Sequence, residues 1–199
     1  MRLSSSALAL LPLVLAAGCA SPMDADPARN APEALAASAA ISPTPVSTVT
    51  PLPGGGFRFV STALLDVPEG AAWAKIHNME KLAEIALPGL SSDFQWLDGG
   101  TPGTAPSRYQ FTALGTTVQE EILLIDRAEK VLKYHLVTPA LGIRSYVGTV
   151  SLDPVDHDHS LITFSRDVAF DDPAALPDFT ALFEQEIGYI QAYFADRSS

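Results

Sequence analysis

The stretch PAALPDFTALFEQEIGYIQAYFAD, residues 173–196, decides how the rest of the chain is read. Leu176, Phe179, Leu182, Phe183, Ile187, Ile190 and Phe194 recur there at the spacing of one helical face. Asp172 stands where a cap belongs, and Pro173 takes the first helical position, where a missing N–H does no harm. No other segment promises so long a helix. A sheet with one apolar face therefore has a single candidate to cover it.

Upstream, residues 57–67 read as a strand ended by Pro68, and 69–77 and 79–87 as two short helices, the second closed by Pro88-Gly89. Six strand-like runs follow at 92–97, 108–114, 117–126, 131–138, 145–152 and 161–170. The short polar or glycine-containing segments between them suit antiparallel hairpins. The expectation is an α+β fold in which a seven-stranded antiparallel sheet curls round the long C-terminal helix, with two short helices after the first strand. Where sheet and helix do not fully meet, a cavity lined by the concave face remains.

The other end of the chain speaks of location. Arg2 precedes an Ala/Leu/Val-rich run from Ala7 to Ala17, too short to span a bilayer and suited to an export signal over residues 1–18. Ala16-Ala17-Gly18-Cys19 resembles the lipobox of bacterial lipoproteins, with Ala16 where leucine is usual. The resemblance implies lipidation of Cys19, and Ala20-Ser21 after it implies the outer membrane, facing the periplasm. Residues 19–56, rich in Ala, Pro, Ser, Thr and Gly, read as a flexible tether, because such a composition buries too little apolar surface to offset its ordering entropy. Residues 57–196 form the expected folded domain.

Charge narrows the partners. With 23 Asp and Glu against 12 Lys and Arg the net charge is −11, which excludes a phosphate-binding surface for nucleic acid and opposes docking of the domain on anionic lipid. The lone cysteine is assigned to lipid, so no disulfide and no thiol chemistry is expected.

Ala72-Trp73-Ala74-Lys75-Ile76, Arg108, Val118-Gln119-Glu120-Glu121-Ile122, Ile125-Asp126, Lys133-Tyr134, Ser145-Tyr146 and Ser160-Leu-Ile-Thr-Phe164 occur in an order and spacing that resembles the START-like, Bet v 1-like (SRPBCC) superfamily of polyketide cyclase/dehydrase and lipid-transport proteins. The resemblance covers about residues 57–196 and implies the helix-grip fold, with a ligand cavity between sheet and C-terminal helix. Hormone-binding members carry a pocket-facing glutamate at the position matching Glu120. Since members include binders, cyclases and proteins without known activity, the fold does not fix the chemistry.

Strand parity selects the cavity face. Leu132, Tyr134 and Leu136 share one side of their strand, Tyr146, Gly148, Val150 and Leu152 one side of the next, and Ile162, Phe164, Arg166, Val168 and Phe170 one side of the last. Glu120 shares parity with Val118, Ile122 and Leu124. The candidate ligand-binding set is Val118, Glu120, Tyr134, Leu136, Tyr146, Gly148, Phe164 and Arg166. Gly148 leaves room for a ligand or for a close helix. Buried charges need partners, so Glu120 and Arg166 either meet in the cavity or lie at its rim in solvent; both readings stand. The hydroxyls of Tyr109, Tyr134 and Tyr146 either bind ligand or reach water. Trp73 reads as an anchor for the first helix, and residues 99–107, near Trp96, and 139–144 as entrance loops.

Asp156-His157-Asp158-His159 falls in a hairpin turn whose adjacent side chains diverge, so no metal is expected. Phosphate-loop, dinucleotide and nucleophile-elbow motifs are missing, and no cofactor is expected. The expected partner is a small hydrophobic molecule, held by an envelope-anchored carrier or sensor. A cyclase/dehydrase-like enzyme with Glu120 as general acid/base is the alternative, and a ligand-free interaction module the third reading. Oligomeric state is open.

Overall fold

A computed structural model describes residues 44–195; Cys19, the signal segment and most of the expected tether lie outside these. The elements run β1 (Val46–Pro51), β2 (Phe57–Leu65), α1 (Glu69–Ile76), α2 (Met79–Ala86), β3 (Ser91–Leu97), β4 (Ser107–Ala113), β5 (Thr116–Asp126), β6 (Val131–Leu136), β7 (Ile143–Pro154), β8 (Ser160–Phe170), a single 3-10 turn (Pro173–Ala175) and α3 (Leu176–Ala195). All strands join one antiparallel sheet in the order β1-β2-β8-β7-β6-β5-β4-β3. The fold is α+β, with α3 on the concave side.

The sheet has eight strands, not seven. The extra one, β1, comes from the stretch assigned to the tether and pairs from Val46↔Thr62 to Pro51↔Phe57. Val-Ser-Thr-Val-Thr is strand-prone in itself, and prolines beside it are tolerated on an edge strand, where one row of N–H groups has no ladder to join. Pro51 to Gly56 is then a hairpin loop, with Leu52 N–H donating to the Gly56 carbonyl at 3.0 Å.

Alternation works as expected along β8, where Ser160, Ile162, Phe164, Arg166, Val168 and Phe170 are all buried. On β5 it holds for Val118, Glu120 and Ile122 and then breaks. A register shift between Ile122 and Leu124 turns Leu124 outward, 45% exposed, and Ile125 packs on the core instead. An extra residue reverses every side chain beyond it.

Asp172 accepts the Ala174 N–H at 2.9 Å, so cap and proline fall as expected, one 3-10 turn ahead of α3. Phe183, Glu186, Ile187, Ile190 and Phe194 form the buried face of α3. Leu176, Phe179 and Leu182, nearer its start, are only half-buried. The C-terminal half of α3 thus closes the core, and its N-terminal half borders a space. Asn78 caps α2 by accepting the Glu80 N–H at 3.1 Å, and α2 presents Met79, Leu82, Ile85 and Ala86 inward. Among the described residues no helix is long and apolar enough to cross a membrane.

Candidate functional site

Between α2, the N-terminal half of α3 and strands β4 to β8 lies a cavity of about 100 Å³. Its wall is almost wholly apolar: Met79, Leu82 and Ala86 from α2, Phe111, Val118 and Leu136 from the sheet, and Phe179 and Phe183 from α3. The polar exceptions are Tyr109, Glu120, Tyr134, Tyr146 and Glu186. Two tight turns also reach the wall, through Leu114 and through Leu141.

Of the candidate set, Val118, Glu120, Tyr134, Leu136, Tyr146 and Phe164 line this cavity, while Gly148 and Arg166 do not. Gly148 faces Tyr134 across the β6–β7 ladder, and a Cβ there would stand 2.6 Å from the Tyr134 ring. The missing side chain makes room for that ring rather than for a ligand or helix. Of the two entrance segments, 139–144 contributes Ala140, Leu141 and Ile143, but 99–107 contributes nothing. That loop closes on itself through Thr104 Oγ1 and Ser107 Oγ, 2.7 Å apart. Trp96 packs edge-on against Phe94 and tilted against Tyr109, and does not line the cavity. Trp73 is buried on α1, with its ring against His77.

Glu120 and Arg166 do not pair. The Tyr109 hydroxyl, held opposite Glu120 by the β4–β5 register, donates to Glu120 Oε2 at 2.6 Å. Among the described residues no other hydrogen bond reaches this carboxyl, which lines the cavity although Glu120 is only 8% exposed. Burial pushes the Glu120 carboxyl up to about 7, against the opposing pull of the Tyr109 hydrogen bond and with a further push from Glu186. Burial and the neighbouring Glu120 hold the Tyr109 hydroxyl well above the usual phenol range, so it stays a donor. Tyr134 and Tyr146 share a hydrogen bond of 3.0 Å, and burial raises both hydroxyls as well.

Arg166 instead donates from Nη2 to Glu186 Oε2 on α3 at 2.5 Å. Its guanidinium carbon lies over two rings, 3.4 Å from the Phe164 centroid and 4.5 Å from that of Phe183. Burial raises the Glu186 carboxyl and the Arg166 charge opposes the rise. Glu186 is the site residue that sequence reasoning missed. It lies three residues from Phe183 and four from Ile190, so helical periodicity alone put it on the buried face.

The chemistry here is that of a greasy pocket with one titratable end. Asp156 and His159 close a surface turn: the carboxylate accepts the backbone N–H of Asp158 and His159, each at 2.9 Å. Among the described residues no group of three potential ligands comes together for a metal ion.

The family model described as "polyketide cyclase / dehydrase and lipid transport" matches residues 56–194. No curated protein matches the chain. Solved structures share the fold at low identity. The Zhui aromatase/cyclase of Streptomyces sp. R1128 is 13% identical over 71% of this chain and 95% of its own, with a TM-score of 0.59. Norcoclaurine synthase of Thalictrum flavum, in complex with dopamine and hydroxybenzaldehyde, is 14% identical over 78% and 91%, with a TM-score of 0.53. The major latex-like protein 151 of Panax ginseng is 19% identical over 69% and 96%, with a TM-score of 0.52.

Proposed function

The chain belongs to the polyketide cyclase/dehydrase and lipid-transport family, and on that premise we propose that it binds or carries a small, largely hydrophobic molecule in the cavity beneath α3. The observation that carries this reading is the cavity itself, apolar except for Tyr109, Glu120, Tyr134, Tyr146 and Glu186. A packed domain has no use for a void, since unfilled volume forfeits dispersion contacts. An apolar cavity of about 150 Å³ accommodates benzene. At about 100 Å³ this one is smaller, so it suits a short chain or part of a ring, with the remainder of the molecule extending toward Leu114 and Leu141. Native mass spectrometry of gently purified protein, followed by extraction, tests the reading. A co-purifying small molecule is expected; an empty protein that also binds nothing in a panel of single-ring and short-chain compounds overturns it.

The location belongs to the same proposal. Lipidated at Cys19, the carrier is held at the bacterial cell envelope, on the outer membrane facing the periplasm. Cys19→Ala is expected to release the protein from washed membranes, and retention overturns the anchor.

One observation favours an enzymatic second reading: a carboxyl at about 7, hydrogen-bonded to Tyr109 and lining an apolar pocket, is poised for general acid–base work. A cyclase- or dehydrase-like turnover that vanishes in Glu120→Gln while ligand affinity persists decides for it.

A further inference from the structure

The charge of the cavity wall restricts the ligand more sharply than its volume does. Two carboxyl groups, Glu120 and Glu186, line the cavity, and no Lys, Arg or His does. The one cation at this end, Arg166, sits outside the wall, with 0% exposure, bound to Glu186 and covered by Phe164 and Phe183. Arg166 therefore neutralises Glu186 and has no open path to an anion in the cavity. Glu120 has no cationic partner among the described residues. Its single bond among the described residues is from the Tyr109 hydroxyl to Oε2, which leaves Oε1 without a donor on a side chain that lines the apolar space. An ionised oxygen in such surroundings is stabilised most by a charge-assisted donor.

We propose that the cavity takes a hydrophobic amine: a protonated amino group on a body of about one ring, donating to Glu120 Oε1 while the ring lies among Phe111, Val118, Leu136 and Phe179. The proposal rests on the cavity reading above and deepens it. A carboxylic acid enters against two carboxyl groups with no cation to meet it. An alcohol supplies one neutral donor and leaves the Glu120 charge uncompensated. The amine alone satisfies the free oxygen and the charge together.

The pH dependence follows from the groups that face Glu120. These are Tyr109 on β4, Tyr134 on β6, Tyr146 on β7 and Glu186 on α3, with Arg166 on β8 behind Glu186. The tyrosines stay protonated, and Glu120, at about 7, changes charge near neutrality; burial raises the Glu186 carboxyl as well, opposed by Arg166. A cationic ligand binds the ionised form, so its affinity rises with pH through about 7 and levels off above.

Calorimetric titration of the full chain with 2-phenylethylamine, 2-phenylethanol and 3-phenylpropanoate tests this. The amine is expected to bind roughly tenfold more tightly than the alcohol at pH 8, with the acid weakest. Amine affinity is expected to rise roughly tenfold from pH 6 to pH 8, with the alcohol unaffected. Glu120→Gln brings the amine down to the alcohol and removes its pH dependence. Tyr109→Phe, a milder change, shifts the midpoint of that dependence upward, because the lost hydrogen bond favoured the ionised form. Acid or alcohol binding as tight as the amine, or amine binding indifferent to pH and to Glu120→Gln, overturns the amine and leaves the cavity reading intact. Failure of all three probes at every pH overturns the amine, and overturns the cavity reading too where mass spectrometry finds the protein empty and the wider panel also fails.

Discussion

Arg166 and Glu186 join the last strand to the last helix, Nη2 to Oε2 at 2.5 Å, with the guanidinium carbon over Phe164 and Phe183. Arg166 Nε and Nη1 have no hydrogen-bond partner among the described residues, so the charge rests on Glu186, on the aromatic faces and on the nearby Tyr146 and Tyr134 hydroxyls. Burying an ion pair is costly, yet removing one partner alone is worse. Glu186→Leu leaves an unpaired guanidinium with no exposure and is expected to lose about 3–5 kcal/mol. Arg166→Met leaves a carboxyl at the cavity, which escapes by taking a proton, so the loss is smaller. The double variant recovers much of the Glu186→Leu loss. Urea unfolding of the four proteins checks this, and additive losses refute the coupling.

Periodicity made most of the fold legible. The strand parities of β6, β7 and β8 and the apolar face of α3 were all readable as residues two, or three to four, apart. What escaped needed information between segments. β1 hid in proline- and glycine-rich surroundings, since only its ladder to β2 distinguishes it from a spacer. Leu124 broke parity through a bulge that no local pattern marks. Glu120 was legible as a carboxylate among Val118 and Ile122, but its partner depended on the β4–β5 register that puts Tyr109 opposite. Glu186 was on the right helical face, yet acidic residues on an amphipathic helix are assigned to solvent by default.

Glu120 should also shape stability. Its carboxyl lies at about 7 in the folded protein against an ordinary 4.5, so the folded state holds a proton that the unfolded chain releases. Stability from this group is complete below about pH 4.5, declines as pH rises, and is gone above about 7. At about 1.36 kcal/mol per pKa unit the full span is worth about 3 kcal/mol. Comparing wild type with Glu120→Gln cancels the other titrating groups. The variant is expected to gain on wild type between pH 5 and pH 8 in thermal melts; parallel profiles contradict the assignment.

Gly148 is kept bare by Tyr134. A methyl group there stands 2.6–2.9 Å from Cζ, Cε1 and the hydroxyl of that ring, well inside van der Waals contact. Tyr134 must then swing toward the cavity and give up its 3.0 Å bond to Tyr146. Gly148→Ala is expected to cost about 1–3 kcal/mol by overpacking. Pairing it with Tyr134→Phe tells the two components apart: a cost that persists in the pair belongs to the ring's volume, and one that vanishes belongs to the hydroxyl bond.

The two turns at the cavity share a departure from ordinary hairpin chemistry. Leu114-Gly115 joins Ala113 to Thr116, its paired neighbour, and Leu141-Gly142 joins Ala140 to Ile143 with reciprocal bonds of 3.1 and 2.8 Å. Both leucines adopt positive φ, 51° and 57°, ahead of glycines at 77° and 76°. That is the pattern in which Asn-Gly is favoured, and a leucine held left-handed costs about 1–2 kcal/mol. Leu114 is also 52% exposed, so burial returns little of that cost. An apolar turn residue beside the cavity has its use when a hydrophobic molecule lies against it. Leu114→Asn is therefore expected to raise stability by about 0.5–1 kcal/mol in urea unfolding and to weaken 2-phenylethylamine binding in the same preparation. A variant that is both less stable and equally good at binding refutes this role for the leucine.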